Sequence, residues 1–390
     1  MNRFDEVIDR RNTYCTQWDY IKDRFGREDL LPFSISDMDF AVPDKIEETL
    51  RERINHPIYG YSRWKHEDYL GAIEEWYFKR FHCTIQKEWI CYSPSVMYSI
   101  AKLLHLMSEE QDGILIFTPA YDSFYNVIKN NNRHLITSEL KKEEKGYVID
   151  FKDFEEKCKS SRVLLLCNPH NPTGRVWTAE ELSRIMEICE RYSIAVISDD
   201  IHMDITYRQT TIPIFNLSNK VQKVICSSPS KTFNTPALQG SYIITDDKEL
   251  LDRFEHITRY TEFVNSPSIM GVISTITAYR ECEDWLEELL VYLRENLKYV
   301  KEFVEKNMPL LSFQLPEGCY FAWIDFSKLQ VDDKVMQSIL MEQGKVAIMS
   351  GRMYGASQHL RFHVGCPRSK VVSGLNGLKL AYEAITGGRL

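Results

Sequence analysis

Lys231 stands in the stretch CSSPSKTFNTPALQG (226–240) among serines and prolines, with no acid near it in the chain. A lysine is by default a solvated surface charge. Held in a pocket, the same amine is desolvated, its pKa falls, and it becomes a nucleophile and a base. Ser227, Ser228 and Ser230 put hydroxyls beside it, and a helix start would add free backbone N–H groups. Such a set suits a phosphate.

Four other clusters carry chemistry of their own. NPHNPTGR (168–175) is a rigid turn whose asparagines, Asn171 among them, have side-chain amides free for a ligand. Asp199-Asp200-Ile201-His202 sets carboxylates and an imidazole together, although acids are also common helix caps. Tyr121 in TPAYDSFY is either a packed ring or a stacking platform. Arg361 in HLRFHVGCPR is an always-charged guanidinium in an extended run, and a carboxylate held by two bonds is its natural partner. His359 and His363 flank it with i,i+4 spacing, but a shared metal would need a helix there, and no metal is expected. Each cluster alone also has a plain structural reading. Together they supply a lysine to bond an aldehyde carbon, an acid for a ring nitrogen, an amide for a ring hydroxyl, an aromatic for stacking and an arginine for a carboxylate. That set fits pyridoxal 5′-phosphate (PLP) working on an amino acid.

The elements that must position these groups are strands. GILIF (113–117), RVLLLC (162–167), IAVISD (194–199), KVICSS (223–228) and SYIIT (241–245) are continuous apolar runs, expected of strands covered on both faces of a parallel sheet. Thr178 and Glu181 form a capping box ahead of the helical pattern LSRIMEICERY. The alternation predicts an α/β sheet, with ligands at the carboxyl ends of its strands. Each cluster except that of Arg361 directly follows one of these runs. Later, 281–307 reads as a long amphipathic helix, SFQLPEGCYFAWIDF (312–326) as a hairpin turning at Pro316-Glu317-Gly318, and 370–386 as a closing helix. The expected division is a large domain over 46–285 with a mostly parallel sheet. A smaller α+β domain would join 1–45 to 286–390.

Bulk properties narrow the class. The chain has 390 residues, 44% hydrophobic and 27% charged, enough to bury a large core. A net charge of −8 with interspersed signs argues against nucleic acid or an anionic membrane as partner. MNRFDEVIDRRNTY is charged throughout, and no run reaches the ~18–20 apolar residues of a membrane span. Ten cysteines without a pairing pattern suit a reducing compartment, so a cytoplasmic location is expected.

NPTG, the S-x-x-K around Lys231 and the arginine motif resemble the fold-type I PLP enzymes of the class I/II aminotransferase group. FDEVIDRR, TQWDY, DLLPFSISDMDF, YGYSRWK, SDDIHMD, KTFNTPAL, KVAIMSG and GCPRSK resemble, more narrowly, the branch of cystathionine and cysteine-S-conjugate β-lyases that includes the maltose-regulon modulator. These blocks run from residue 4 to 370. The resemblance implies that Lys231 carries the cofactor and removes the substrate Cα proton, that Asp199 pairs with the ring nitrogen, and that Asn171, supported by His202, bonds the ring oxygen. Tyr121 would stack on the ring. Ser95, Val96 and Met97 would hold the phosphate through backbone N–H groups, with Ser228 and Ser230. Tyr61 would reach the phosphate of a neighbouring subunit, implying a homodimer with shared sites, and Arg361 would clamp the substrate carboxylate. The implied activity is α,β-elimination of cystathionine or a related thioether, with a place in methionine biosynthesis. An aminotransferase would use the same residues, and the branch also permits a regulatory protein that binds a transcription activator. Three departures stand out: Asp200 where glutamate is usual, Gln239 where many aminotransferases use arginine on the phosphate, and Ser350 with Arg352 where proline and tyrosine are common.

Overall fold

The computed structural model describes residues 2–144 and 146–387. Seven strands form one sheet in the order Ile90–Ser93, Ser241–Ile244, Lys223–Ser227, Ala195–Asp199, Val163–Cys167, Gly113–Thr118, His134–Glu139. All five expected strands lie within one residue of their predicted ends. Val163–Cys167, Ala195–Asp199 and Lys223–Ser227 are buried at every position, the consequence of helices on both faces. One expectation needs correction. Ser241–Ile244 runs antiparallel to both neighbours, while the remaining adjacent pairs are parallel. A continuous apolar run reports that both faces are covered and says nothing of strand direction.

Register then aligns the chemistry. Cys167 pairs with Asp199 and Asp199 with Cys226, so three strands end level. The turn after Cys167, the acids at 199–200 and the serines at 227–230 therefore emerge along one edge of the sheet.

The second sheet has the order Leu31–Phe33, Val346–Ser350, His359–His363, Phe321–Asp325, Ser312–Phe313. Leu31–Phe33 pairs in parallel with Val346–Ser350, which brings the N-terminal segment to the C-terminal third of the chain. Ser312–Phe313 and Phe321–Asp325 do form an antiparallel pair. Pro316-Glu317-Gly318 is not a tight turn between them. The connection is wide, and the Glu317 and Gly318 N–H groups donate to the Gly174 carbonyl at 2.9 and 2.8 Å. The long helix is Glu283–Asn307, separated from Ile269–Glu281 by Cys282, and the closing helix is Arg368–Thr386. One contiguous core includes Ile197 of the first sheet and Phe362 of the second. We propose the division 46–285 against 1–45 with 286–390. Met1 and 388–390 lie outside the described residues, and the boundary at 285 falls in the first turn of Glu283–Asn307. Among the described residues no helix is long and apolar enough to cross a membrane.

Candidate active site

A cavity of about 220 Å³ opens at the carboxyl edge of the large sheet. Lys231, Asp199, Asn171, His202, Tyr121, Ser95, Val96, Met97, Ser228 and Ser230 all line it. Of the expected site residues only Arg361 and Tyr61 are outside that lining.

Burial pushes the Lys231 amine down to about 8, and the Arg361 charge adds to the fall, while Asp37 and Asp199 oppose it. The acids missing from its local sequence thus come from two distant segments. Asp199 is buried with its Oδ1 accepting from the Ile201 N–H at 3.2 Å. Desolvation raises its carboxyl to about 7 despite that bond and the nearby amine. Asp200 is raised further, to about 8, by burial and by Asp199 beside it, against a hydrogen bond from the Ser198 hydroxyl. Burial lowers His202 to about 3, so it is a neutral imidazole, and its Nδ1 has no hydrogen-bond partner among the described residues.

Asn171 and Arg361 meet at the other wall. The guanidinium donates from Nη1 to Asn171 Oδ1 at 3.2 Å and from Nη2 to the Ser34 carbonyl at 3.1 Å. It lies between Phe321 and Tyr354, 4.2 and 4.6 Å from the ring centroids. It is buried, its Nε is unpartnered, and no carboxylate among the described residues pairs with it. A fixed, desolvated guanidinium of this kind is a seat for a carboxylate. With its oxygen on Arg361, Asn171 retains its amide N–H₂ as the donor for a cavity ligand.

The remaining end of the cavity is built from neutral donors. Ser95 caps the helix Val96–Met107, its hydroxyl accepting from the Tyr98 N–H at 3.2 Å. The first N–H groups of that helix have no partner within it, which makes an anion site when hydroxyls stand opposite. Ser228 donates its hydroxyl to the Gly240 carbonyl at 3.2 Å and accepts from the Ser230 N–H at 3.1 Å. Gln239 reaches the same wall through a backbone at φ +66°, ψ −159°, a region few side-chain-bearing residues adopt. Tyr121 stands at the position preceding the helix Asp122–Asn130 and packs edge-on against Phe124, and burial raises its phenol.

Tyr61 is fully exposed, beside Tyr59 and Ser62, and does not join the cavity within one chain. Sequence reasoning also missed a whole wall. Ser36 lines the cavity, and Lys231 Nζ donates to its hydroxyl at 2.8 Å. Asp37 follows it and its charge acts on the amine, and Cys167 and Ile201 also line the cavity. The block containing Ser36 and Asp37 was visible only as a likeness, because no periodicity in DLLPFSISDMDF points to a residue 195 positions away. His359 and His363 lie in one strand, and among the described residues no cluster of His, Cys, Asp and Glu could hold a metal.

The model of the family "Aminotransferase class I and II" matches residues 28–378. Protein MalY of Escherichia coli is 41% identical, the match covering 98% of this chain and 99% of that one. Cystathionine beta-lyase PatB of Bacillus subtilis is 32% identical over 97% and 99% of the two chains. Among solved structures, the PLP-bound C-S lyase from Staphylococcus hominis superposes with a TM-score of 0.92 at 30% identity, covering 97% of each chain.

Proposed function

The chain belongs to the aminotransferase class I and II family, and we propose on that premise that it is a PLP-dependent carbon–sulfur β-lyase. Its substrates are thioether amino acids such as cystathionine or other cysteine S-conjugates. With water, these yield a thiol (homocysteine from cystathionine), pyruvate and ammonia. The cofactor fits the residues present. A desolvated amine, a buried carboxylic acid with no cationic side chain bonded to it and a helix N-terminus ringed by serines surround one cavity. When bound, PLP supplies an electron sink that makes the substrate Cα proton removable.

The chain's own residues do the rest. Lys231 would hold the cofactor through its nitrogen, and its free amine would take the Cα proton. Asp199 keeps a proton on the cofactor ring nitrogen, Asn171 donates to the ring oxygen beside His202, and Tyr121 covers the ring. Ser95, Val96, Met97, Ser228 and Ser230 receive the phosphate, joined by Tyr61 of a second subunit in a homodimer. Arg361 seats the α-carboxylate, which fixes Cα toward Lys231. All ten cysteines are free and buried, which agrees with a reducing cytoplasm.

The observation that carries this reading is that Lys231, Asp199 and Asn171 line one cavity, and that Asn171 is bonded to Arg361, a buried guanidinium with no carboxylate partner among the described residues. Elimination is preferred to transamination because PatB and the Staphylococcus hominis protein, alike over nearly the whole chain, are lyases by name. The test is incubation with cystathionine and no 2-oxo acid. Pyruvate and ammonia are expected; turnover that requires an added 2-oxo acid would make the protein an aminotransferase instead.

A further inference from the structure

We propose that Ser36 relays to the departing sulfur the proton that Lys231 takes from the substrate Cα. This rests on the lyase reading above. Lys231 Nζ donates to Ser36 Oγ at 2.8 Å. Ser36 is half-buried, lines the same cavity, and its own hydroxyl proton has no acceptor among the described residues. It therefore faces the substrate space with a proton to give and a proton source behind it.

Ser36 is also fixed in place. The Tyr320 hydroxyl donates to its carbonyl at 2.7 Å. Asn234, three residues past Lys231, accepts from the Met38 N–H at 2.9 Å and donates to the carbonyls of Met38 and Phe40 at 2.9 and 2.8 Å. Arg10 pairs with Asp37 and Asp39. The loop that carries the amine and the strap that carries the hydroxyl are therefore clamped to each other, and the 2.8 Å contact is a property of both.

The chemistry needs such a group. An alkyl thiolate is a strong base, and expelling it unprotonated into a half-buried cavity is costly. Two neighbouring groups are poor donors: His202 is a neutral imidazole whose Nδ1 has no partner among the described residues, and Asp200, bonded to Ser198, does not line the cavity; the Tyr121 phenol, which does line it, is the rival the test separates. In the relay the Cα–H bond breaks and its electron pair forms the Cα–Cβ double bond, while the C–S bond breaks with its pair going to sulfur. Lys231 gains the Cα proton and passes one to Ser36 Oγ as Ser36 gives its hydroxyl proton to sulfur. Lys231 and Ser36 end as they began, and a neutral thiol leaves.

The test compares Ser36→Ala and Ser36→Thr in the holoenzyme on two conjugates, S-ethylcysteine and S-(nitrophenyl)cysteine. The nitrophenyl thiolate is a weak base and needs no proton. Ser36→Ala is expected to cut kcat on the S-ethyl substrate by roughly 10²–10⁴-fold, the usual worth of general acid help. It should leave the nitrophenyl substrate little changed, and Ser36→Thr should restore the S-ethyl rate. A uniform loss on both substrates, no loss on either, or the same steepening produced by Tyr121→Phe instead would overturn the relay. A readout apart from turnover is the pH dependence of PLP uptake by the cofactor-free protein, followed by absorbance. Losing the acceptor of the Nζ bond should shift its midpoint downward in Ser36→Ala, and an unmoved midpoint counts against the contact. If wild-type protein releases no pyruvate from either conjugate, the lyase reading falls and the relay with it. The outcomes above, with wild type active, sink the relay alone.

Discussion

The Arg361 guanidinium donates to Asn171 Oδ1 across 3.2 Å, so the residue that would seat the substrate and the residue that would hold the cofactor ring are one bonded unit. Losing a hydrogen bond to a charged group is worth about 1.5–3 kcal/mol. Asn171→Ala is therefore expected to raise KM for the amino acid by roughly 10–100-fold as well as loosening the cofactor, an effect a ring-only contact would not have. Arg361→Lys should raise KM at least as much, because an ammonium lacks the planar fork. In a double-mutant cycle the two losses should sum to more than the double variant shows. Strict additivity would mean that the bond does not couple the two ends.

Asp199 and Asp200 make stability depend on pH before any cofactor binds. Both carboxyls are raised in the fold, to about 7 and about 8, chiefly by burial. A raised carboxylate pKa means the folded state binds the proton more tightly than the unfolded one. The sign is then a loss of stability as pH climbs from the ordinary carboxylate range through 7–8, on the order of a few kcal/mol. Lys231, lowered to about 8, acts oppositely and only above that pH. Asp199→Asn in cofactor-free protein should thus raise Tm at pH 8 and leave it nearly unchanged at pH 4, while sharply lowering turnover of the holoenzyme. Thermal unfolding across pH 4–9 checks this, and equal Tm values at pH 8 would refute it.

Five strands were legible because burial on both faces writes an apolar run into the sequence, and Lys231, Asp199, Asn171 and Tyr121 were legible because each follows the end of such a run. Arg361 stood out as a charge in an extended segment. What stayed hidden has a common cause. The antiparallel course of Ser241–Ile244 leaves the same pattern as a parallel strand, and the edge strand His134–Glu139 alternates buried with exposed positions in a largely polar stretch. Ser36, Asp37 and the Asn234 clamp act across nearly 200 residues, and local periodicity carries no trace of a partner that distant.

Tyr61 is wholly exposed in one chain, beside an exposed Tyr59. If it completes the phosphate site of a second subunit, Tyr61→Ala should leave the Tm of the cofactor-free chain unchanged and weaken PLP binding. A complementation test isolates the geometry. Lys231→Ala and Tyr61→Ala are each expected to be nearly inactive, yet a mixed dimer contains one site with both native residues. Co-refolding equal amounts should recover about a quarter of wild-type activity under two-fold symmetry. No recovery would place Tyr61 outside the shared site.

Gly174 sits at φ +71° in the turn that presents Asn171. A Cβ there would stand 2.3 Å from Pro316 Cβ and 2.7 Å from the Gly318 carbonyl oxygen. Gly174→Ala therefore meets two penalties, a left-handed backbone that side chains disfavour and a clash that must push the 316–318 loop away. That loop cannot move freely, since Glu317 bonds Arg175 Nε at 2.8 Å and the Val176 N–H at 3.0 Å, and its backbone donates to Gly174 itself. The strain should pass to the neighbouring Asn171. A loss of about 2–4 kcal/mol is expected, read as a Tm lower by several degrees, together with weaker cofactor retention. Adding Pro316→Gly removes the nearer obstructing carbon and should return part of the Tm. If Gly174→Ala alone unfolds like wild type, the contact between this loop and the turn does not hold the site.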